Sequence, residues 1–148
     1  MTDFAPPYDP ASVRPEYAAG LWDYARGRPA TEHRDYGSAV DALRGRGCNP
    51  WWLRAYGDVQ AARAGCYVDE ALGMRVAGFL ELLRQSQGEY RGKPLTLMDW
   101  QLWDLVMPLY GWVRPDGARR FTKGGIWVPK KNGKSTLAAG LGIYHLRG

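Results

Sequence analysis

Cysteine and histidine are scarce in this chain of 148 residues, with two of each. Cys48 and Cys66 have no metal-ligand spacing around them, and His33 and His145 lie far in sequence from both and from each other. No Cys/His metal pattern follows from such an arrangement, and free thiols in a reducing cytosol are the plain reading, with a disulfide left open. Long apolar runs are missing too. No stretch approaches the roughly 18 apolar residues of a membrane span. The N-terminal MTDFAPPYDP lacks the basic and apolar regions of a secretory signal peptide. No membrane partner is therefore expected.

Acidic residues run short in one place. Residues 114–148 hold 8 Lys/Arg against the single Asp116, a balance of +7, whereas residues 1–113 hold 12 Lys/Arg and 14 Asp/Glu, a balance of −2. The whole basic excess of a chain with net charge +5 thus sits in its last 35 residues. Such asymmetry points to a polyanionic partner, nucleic acid or a polyphosphate ligand, with a solvated basic face as the plainer alternative. What the chain does have is apolar area. It is 45% hydrophobic and 13% aromatic, with seven tryptophans, nine tyrosines and three phenylalanines, which supports a folded core and excludes full disorder. The length is about that of one domain.

Prolines 6, 7, 10, 15 and 29 mark the first stretch as an arm with one short helix around Glu16–Arg26. A helix over Tyr36–Arg44 should end at Gly45 and Gly47. Asn49-Pro50 should turn the chain, and Trp51–Leu53 should open a helical stretch to about Ala64. The clearest helix starts at Asp69, a plausible N-cap. Leu72, Val76, Phe79, Leu80 and Leu83 then form an apolar stripe of period 3.6, with Arg75, Glu81 and Arg84 off it. Gly73 and Gly78 weaken its intrinsic propensity, so packing must hold it. After a loop at Gly92-Lys93-Pro94, a second helix from about Asp99 carries Trp100, Trp103, Val106, Met107 and Tyr110 on one face, and Pro108 limits it to one further turn. Residues 114–118 form a turn. Ile126-Trp127-Val128 has strand character, and Arg119–Thr122 either extends it or forms a hairpin partner. Lys134–Arg147 closes the chain as a helix with Leu137, Leu141, Tyr144 and Ala138 inward.

One constellation carries chemistry. Ile126-Trp127-Val128-Pro129-Lys130-Lys131-Asn132-Gly133-Lys134-Ser135-Thr136 reads as strand, tight loop, Gly-Lys-Ser and helix, the order of a phosphate loop. Backbone N–H groups of the loop and of the helix N-terminus point at phosphates there, and the helix dipole favours negative charge. Gly133 allows positive φ and close approach. Lys134 supplies a point charge for the β and γ phosphates, and the Ser135 hydroxyl is the expected Mg²⁺ ligand. The strict pattern fails, because Val128 stands where its first glycine belongs, and a basic surface turn is the competing reading. Trp100-Gln101 lies some 30 residues upstream. A glutamine amide can donate and accept at once, matching the N6/N7 edge of adenine, though ordinary helix surface is the alternative for Gln101. Trp100 and Trp103 are by default core residues.

From about Cys66 onward the chain resembles the N-terminal part of the large terminase subunit of tailed bacteriophages, the ATP-driven motor that packages double-stranded DNA. The resemblance rests on Cys66-Tyr67-Val68-Asp69-Glu70, Gly92-Lys93-Pro94-Leu95 before Trp100-Gln101, and Leu109-Tyr110-Gly111-Trp112. It continues through Asp116-Gly117 with Arg119-Arg120-Phe121 and the Val-Pro-Lys-Lys-Asn-Gly-Lys-Ser-Thr-Leu-Ala-Ala run, in that order. It covers a little over half of the chain. Residues 1–65 stand apart as a variable, Pro-rich arm with short helices.

The resemblance implies an α/β fold. A mostly helical lead-in would be followed by the first strand, phosphate loop and helix of a P-loop NTPase sheet, incomplete within residues 66–148. It implies that Gln101 contacts adenine, that Lys130, Lys131, Asn132, Gly133, Lys134, Ser135 and Thr136 form a deviant phosphate loop for ATP, and that Ser135 holds Mg²⁺. In this reading the missing first glycine is a family trait. Lys134 and Lys130 take the catalytic positions. Lys130 stands where the family usually has an arginine finger acting in cis, and lysine keeps the charge but loses the planar fork. The implied partners are phage DNA, the small terminase subunit and the portal or procapsid, in a ring oligomer in the host cytoplasm.

The acidic strand motif and the carboxylate-rich nuclease domain of such a motor are not among the 148 residues, and a parallel sheet needs further strands reached by crossover helices. The expectation is therefore a front piece, from a truncated or split gene or an engineered fragment, that binds ATP without turning it over. The competing function is a non-catalytic basic DNA-binding or assembly protein that contacts phosphates without reading bases. Another P-loop NTPase, such as a helicase, fits less well, given the spacing from Trp100-Gln101 to the loop and the Arg119-Arg120-Phe121 approach.

Overall fold

The computed structural model describes residues 30–86, 88–129 and 133–147; the helix expected at Glu16–Arg26 and the loop residues Lys130, Lys131 and Asn132 lie outside them. The described residues are mixed α/β and mostly helical, and their strands are two residues long each. They fall into two compact units, residues 30–68 with Arg114–Asp116, and Asp69–Val113 with residues 117–147.

In the first unit, helix α1 (Tyr36–Arg44) occupies the expected span. Gly47 then takes φ +73°, which lets its N–H reach the Arg44 carbonyl and the Cys48 N–H reach Leu43, each at 2.9 Å. This left-handed turn satisfies carbonyls that the helix end would leave open. The Asn49 side chain accepts the Trp51 N–H at 3.1 Å and caps a single 3-10 turn, Pro50–Trp52. The continuous stretch expected from Trp51 to Ala64 is instead broken by extended backbone at Ala55, and α2 (Tyr56–Arg63) starts afresh. The Asp58 carboxylate explains the break. It accepts the N–H groups of Ala55 at 2.9 Å and Arg54 at 3.1 Å, holding the two residues ahead of the new helix. Ala39, Leu43, Trp52, Val59 and Ala62 form the buried interior of this unit. Strand β1 (Tyr67–Val68) ends it. Cys48 and Cys66 carry free thiols.

In the second unit the Asp69 side chain caps α3 (Glu70–Leu82), accepting the N–H groups of Ala71 at 3.0 Å and Leu72 at 3.3 Å. Val76 and Leu80 are fully buried while Arg75 and Glu81 are exposed, as the stripe predicts, but the helix ends at Leu82, so Leu83 is extended and Arg84 bridges to Pro94 beyond it. Gly73 earns its place by contact: a Cβ there would stand 2.6 Å from Met107 Sδ.

The second expected helix begins as a widened π-turn, Gln101–Val106, and continues as α4 (Met107–Gly111). The Met107 N–H bonds the Leu102 carbonyl, five residues back. Pro108 accounts for the widening. Its ring would clash with the carbonyl four residues back in a regular α-helix, and a wider turn relieves the clash while the helix continues. Trp103, Val106, Met107 and Tyr110 are buried as expected, and Trp100 is half-buried. Strand β2 (Trp112–Val113) follows, and Arg119 returns to Val113 through one antiparallel bridge. Neither alternative expected for Arg119–Thr122 is met, since Arg119 pairs back to Val113 and not with residues 126–128.

The strand expected at Ile126-Trp127-Val128 is not formed. These residues are irregular, and Trp127 is 91% exposed. β-branched and aromatic content favours a strand only where a neighbouring strand takes its N–H and C=O groups, and none of the described residues pairs with this segment.

Helix α5 (Lys134–Arg147) matches its expected span. Leu137 is buried, and Leu141 and Tyr144 are half-buried, but Ala138 is exposed rather than inward. Its place on the packed face is taken by Gly140, where a Cβ would lie 2.7 Å from Leu80 Cδ2. The resulting core joins Val76, Ala77 and Leu80 of α3 with Leu95, Leu97, Val106, Tyr110 and Leu137.

Candidate functional site

Of the residues assigned to phosphate binding, Gly133, Lys134, Ser135 and Thr136 are described, and all four are exposed at the start of α5. Gly133 has φ +68°, and its carbonyl accepts the Leu137 N–H at 3.0 Å, the first bond of the helix. It therefore stands at the N-cap, where a glycine offers no side-chain acceptor to the first-turn N–H groups. No acidic residue occupies that turn. Lys134 is there instead, a cation at the positive end of the helix dipole, which costs a few tenths of a kcal/mol unless an anion is present. Leu137 fixes the position of this turn, because it is fully buried in the core one turn further on.

Gln101 comes to the same place from the helix that starts 32 residues upstream of Gly133. It is 3% exposed, so the alternative of ordinary helix surface is excluded. Its Oε1 accepts the Met98 N–H at 2.9 Å, and the Met98 carbonyl accepts the Leu102 N–H at 3.0 Å, so the Met98 peptide is held on both sides. A Cβ built on Gly133 would lie 3.4 Å from Gln101 Nε2 and 3.9 Å from Met98 Cε. Two positions 32 residues apart in sequence, the glutamine and the loop glycine, are thus neighbours. Met98 was not singled out by sequence. Its signal is the capping-box spacing, a glutamine three residues after the residue whose N–H it bonds.

The far end of α5 is held by aromatic and polar contacts. Tyr110 Oη and His145 Nε2 share a hydrogen bond of 2.8 Å, and Tyr144 packs edge-on against both Phe79 and Tyr110. Burial pushes the Tyr110 phenol above its ordinary pKa. The Arg119 guanidinium, 5.2 Å from the ring centroid, pulls the other way, and Tyr144 adds to the rise. Both ends of the helix that begins at Lys134 are therefore fixed to the unit that carries Gln101.

No cluster of three or more His, Cys, Asp or Glu side chains able to hold a metal occurs among the described residues. Ser135, the residue expected to hold Mg²⁺, offers one exposed hydroxyl, which is not a protein cage. It is the kind of donor Mg²⁺ accepts beside phosphate oxygens and water. No helix of the described residues is long and apolar enough to cross a membrane. Comparison of the chain with protein-family models, with curated proteins and with solved structures finds no match.

Proposed function

We propose that this chain supplies the ATP-binding cradle of a DNA-packaging motor of the large-terminase type. The observation that carries the reading is that the buried Gln101 amide lies beside Gly133, where the Gly-Lys-Ser run opens α5. A helix start with no side-chain cap, no acid and Lys134 in its first turn adds to it, since that combination suits a polyphosphate.

In this reading the first-turn N–H groups of α5 and the Lys134 ammonium hold the β and γ phosphates. The Ser135 hydroxyl and the phosphate oxygens hold Mg²⁺, which neutralises charge on the transferred group when bound. Lys130, Lys131, Asn132 and Thr136 complete the loop, and Lys130 brings its charge toward the γ-phosphate in the place of the family's arginine. The parent protein would use ATP hydrolysis to move double-stranded phage DNA, working with a small terminase subunit and a portal.

Titration of Mg-ATP into the whole chain tests the proposal. Binding should be measurable and should weaken at least about tenfold in Lys134→Ala, the scale of a lost charge-assisted bond. Absence of ATP binding, together with DNA binding that falls steeply with salt and is the same in Lys134→Ala, would instead make the basic C-terminal third a phosphate-contacting DNA surface.

A further inference from the structure

The resemblance gives Gln101 the role of reading adenine, but the geometry points to a different one. We infer that Gln101 is a positioning residue, bracing the phosphate-loop glycine through its amide rather than reading the base; the inference rests on the ATP-cradle reading above.

The orientation of the amide follows from its partner. The Met98 N–H is a donor, so the side-chain atom it meets at 2.9 Å must be the oxygen, Oε1. Nε2 then lies beside Gly133, 3.4 Å from where a Cβ on that residue would stand. A side chain that is 3% exposed, with its oxygen committed to backbone and its nitrogen beside Gly133, presents almost no edge to a nucleobase. It does present a fixed wall to the residue just before Lys134.

The wall is rigid for three reasons. Met98 is pinned through both its N–H and its carbonyl. The π-turn that Gln101 opens is anchored by the buried Trp103, Val106 and Met107. On the other side, Gly133 is tied through its carbonyl to Leu137, which is buried. Gln101 thus sets where the chain leaves Gly133, and with it the aim of the first-turn N–H groups and of Lys134. Supporting groups of this kind act on ligand affinity through the groups they orient.

The two roles separate when the base is removed from the ligand. Mg-ATP and Mg-tripolyphosphate are titrated into the whole chain as wild type, Lys134→Ala, Gln101→Ala and Gln101→Met. The methionine variant fills the same volume should the alanine variant fail to fold, and thermal melting of each free protein checks folding. Wild type should bind both ligands, and Lys134→Ala should lose both. A folded Gln101 variant should weaken both ligands by the same factor, about tenfold. A merely structural role would lower the melting temperature and leave tripolyphosphate affinity unmoved, which overturns the inference. Loss of ATP affinity with tripolyphosphate affinity intact also overturns it and makes Gln101 the base reader. Wild type that binds neither ligand overturns the ATP-cradle reading, and this inference with it.

Discussion

At the scale of single residues, the side chains that decide this structure are few, and each has a stated partner. Asp69 caps α3 with one carboxylate oxygen shared between two N–H groups. Gly140 lets α5 lie against Leu80 without a Cβ in the way. Tyr110 links α4 to His145 at 2.8 Å from a buried position. Its raised pKa has a consequence for stability. The folded state holds the phenolic proton more tightly than the unfolded chain, so the contribution is complete below the ordinary phenol value near 10 and is lost as pH rises through the folded pKa. Urea melts of the wild type should therefore weaken progressively above about pH 10. Tyr110→Phe should be less stable by about 1 kcal/mol at neutral pH, from the lost bond to His145, and should show a smaller alkaline decline.

At the scale of elements, α3 is the scaffold of its unit, with Gly73 against Met107 of α4 and Leu80 against Gly140 of α5. Its two faces make a direct test of what holds it. Leu80 is fully buried, whereas Leu82, two residues on, is 80% exposed. Leu80→Ala should cost about 2–5 kcal/mol by urea denaturation, from lost apolar burial and the cavity left behind. Leu82→Ala should stay within about 0.5 kcal/mol of wild type. Equal effects would mean that intrinsic propensity, not packing, holds the helix. The glycines argue against that, since an interior Gly costs about 1 kcal/mol relative to Ala.

This element was legible in the sequence because a cap and a 3.6-residue stripe are local signals. So were α1 and α5, whose ends coincide with the expected ones. The π-turn was not, although Pro108 was visible. A proline says that the regular helix must yield, but not whether it breaks or widens. That choice depends on Trp103, Val106 and Met107 all finding burial together.

At the scale of the molecule, the net charge of +5 conceals a +7 stretch in residues 114–148. If part of that charge serves a nucleotide, ligand binding must stabilise the folded chain by linkage. Mg-ATP at about 100 times its Kd should add about 2.7 kcal/mol, read as a raised melting temperature, and Lys134→Ala should abolish the shift. Inorganic salt at the same ionic strength should not reproduce it, because a general screening effect does not depend on Lys134.

The sequence by itself determined the helices α1, α3 and α5, the cap at Asp69, the turns at Gly47 and Gly92, and the glycine-lysine-serine run with its basic surroundings. All of these are set by neighbours within a few residues, through hydrogen bonds, φ preferences and apolar periodicity. The tertiary structure alone decided the rest. It buried Gln101 and set its amide between Met98 and Gly133, it chose Gly140 over Ala138 for the inner face of α5, and it left Ile126-Trp127-Val128 irregular. Each of these depends on what lies opposite a residue in space. A strand needs a partner for its backbone, a glycine is required only where another side chain presses close, and a glutamine is buried or exposed according to the groups that meet its two ends.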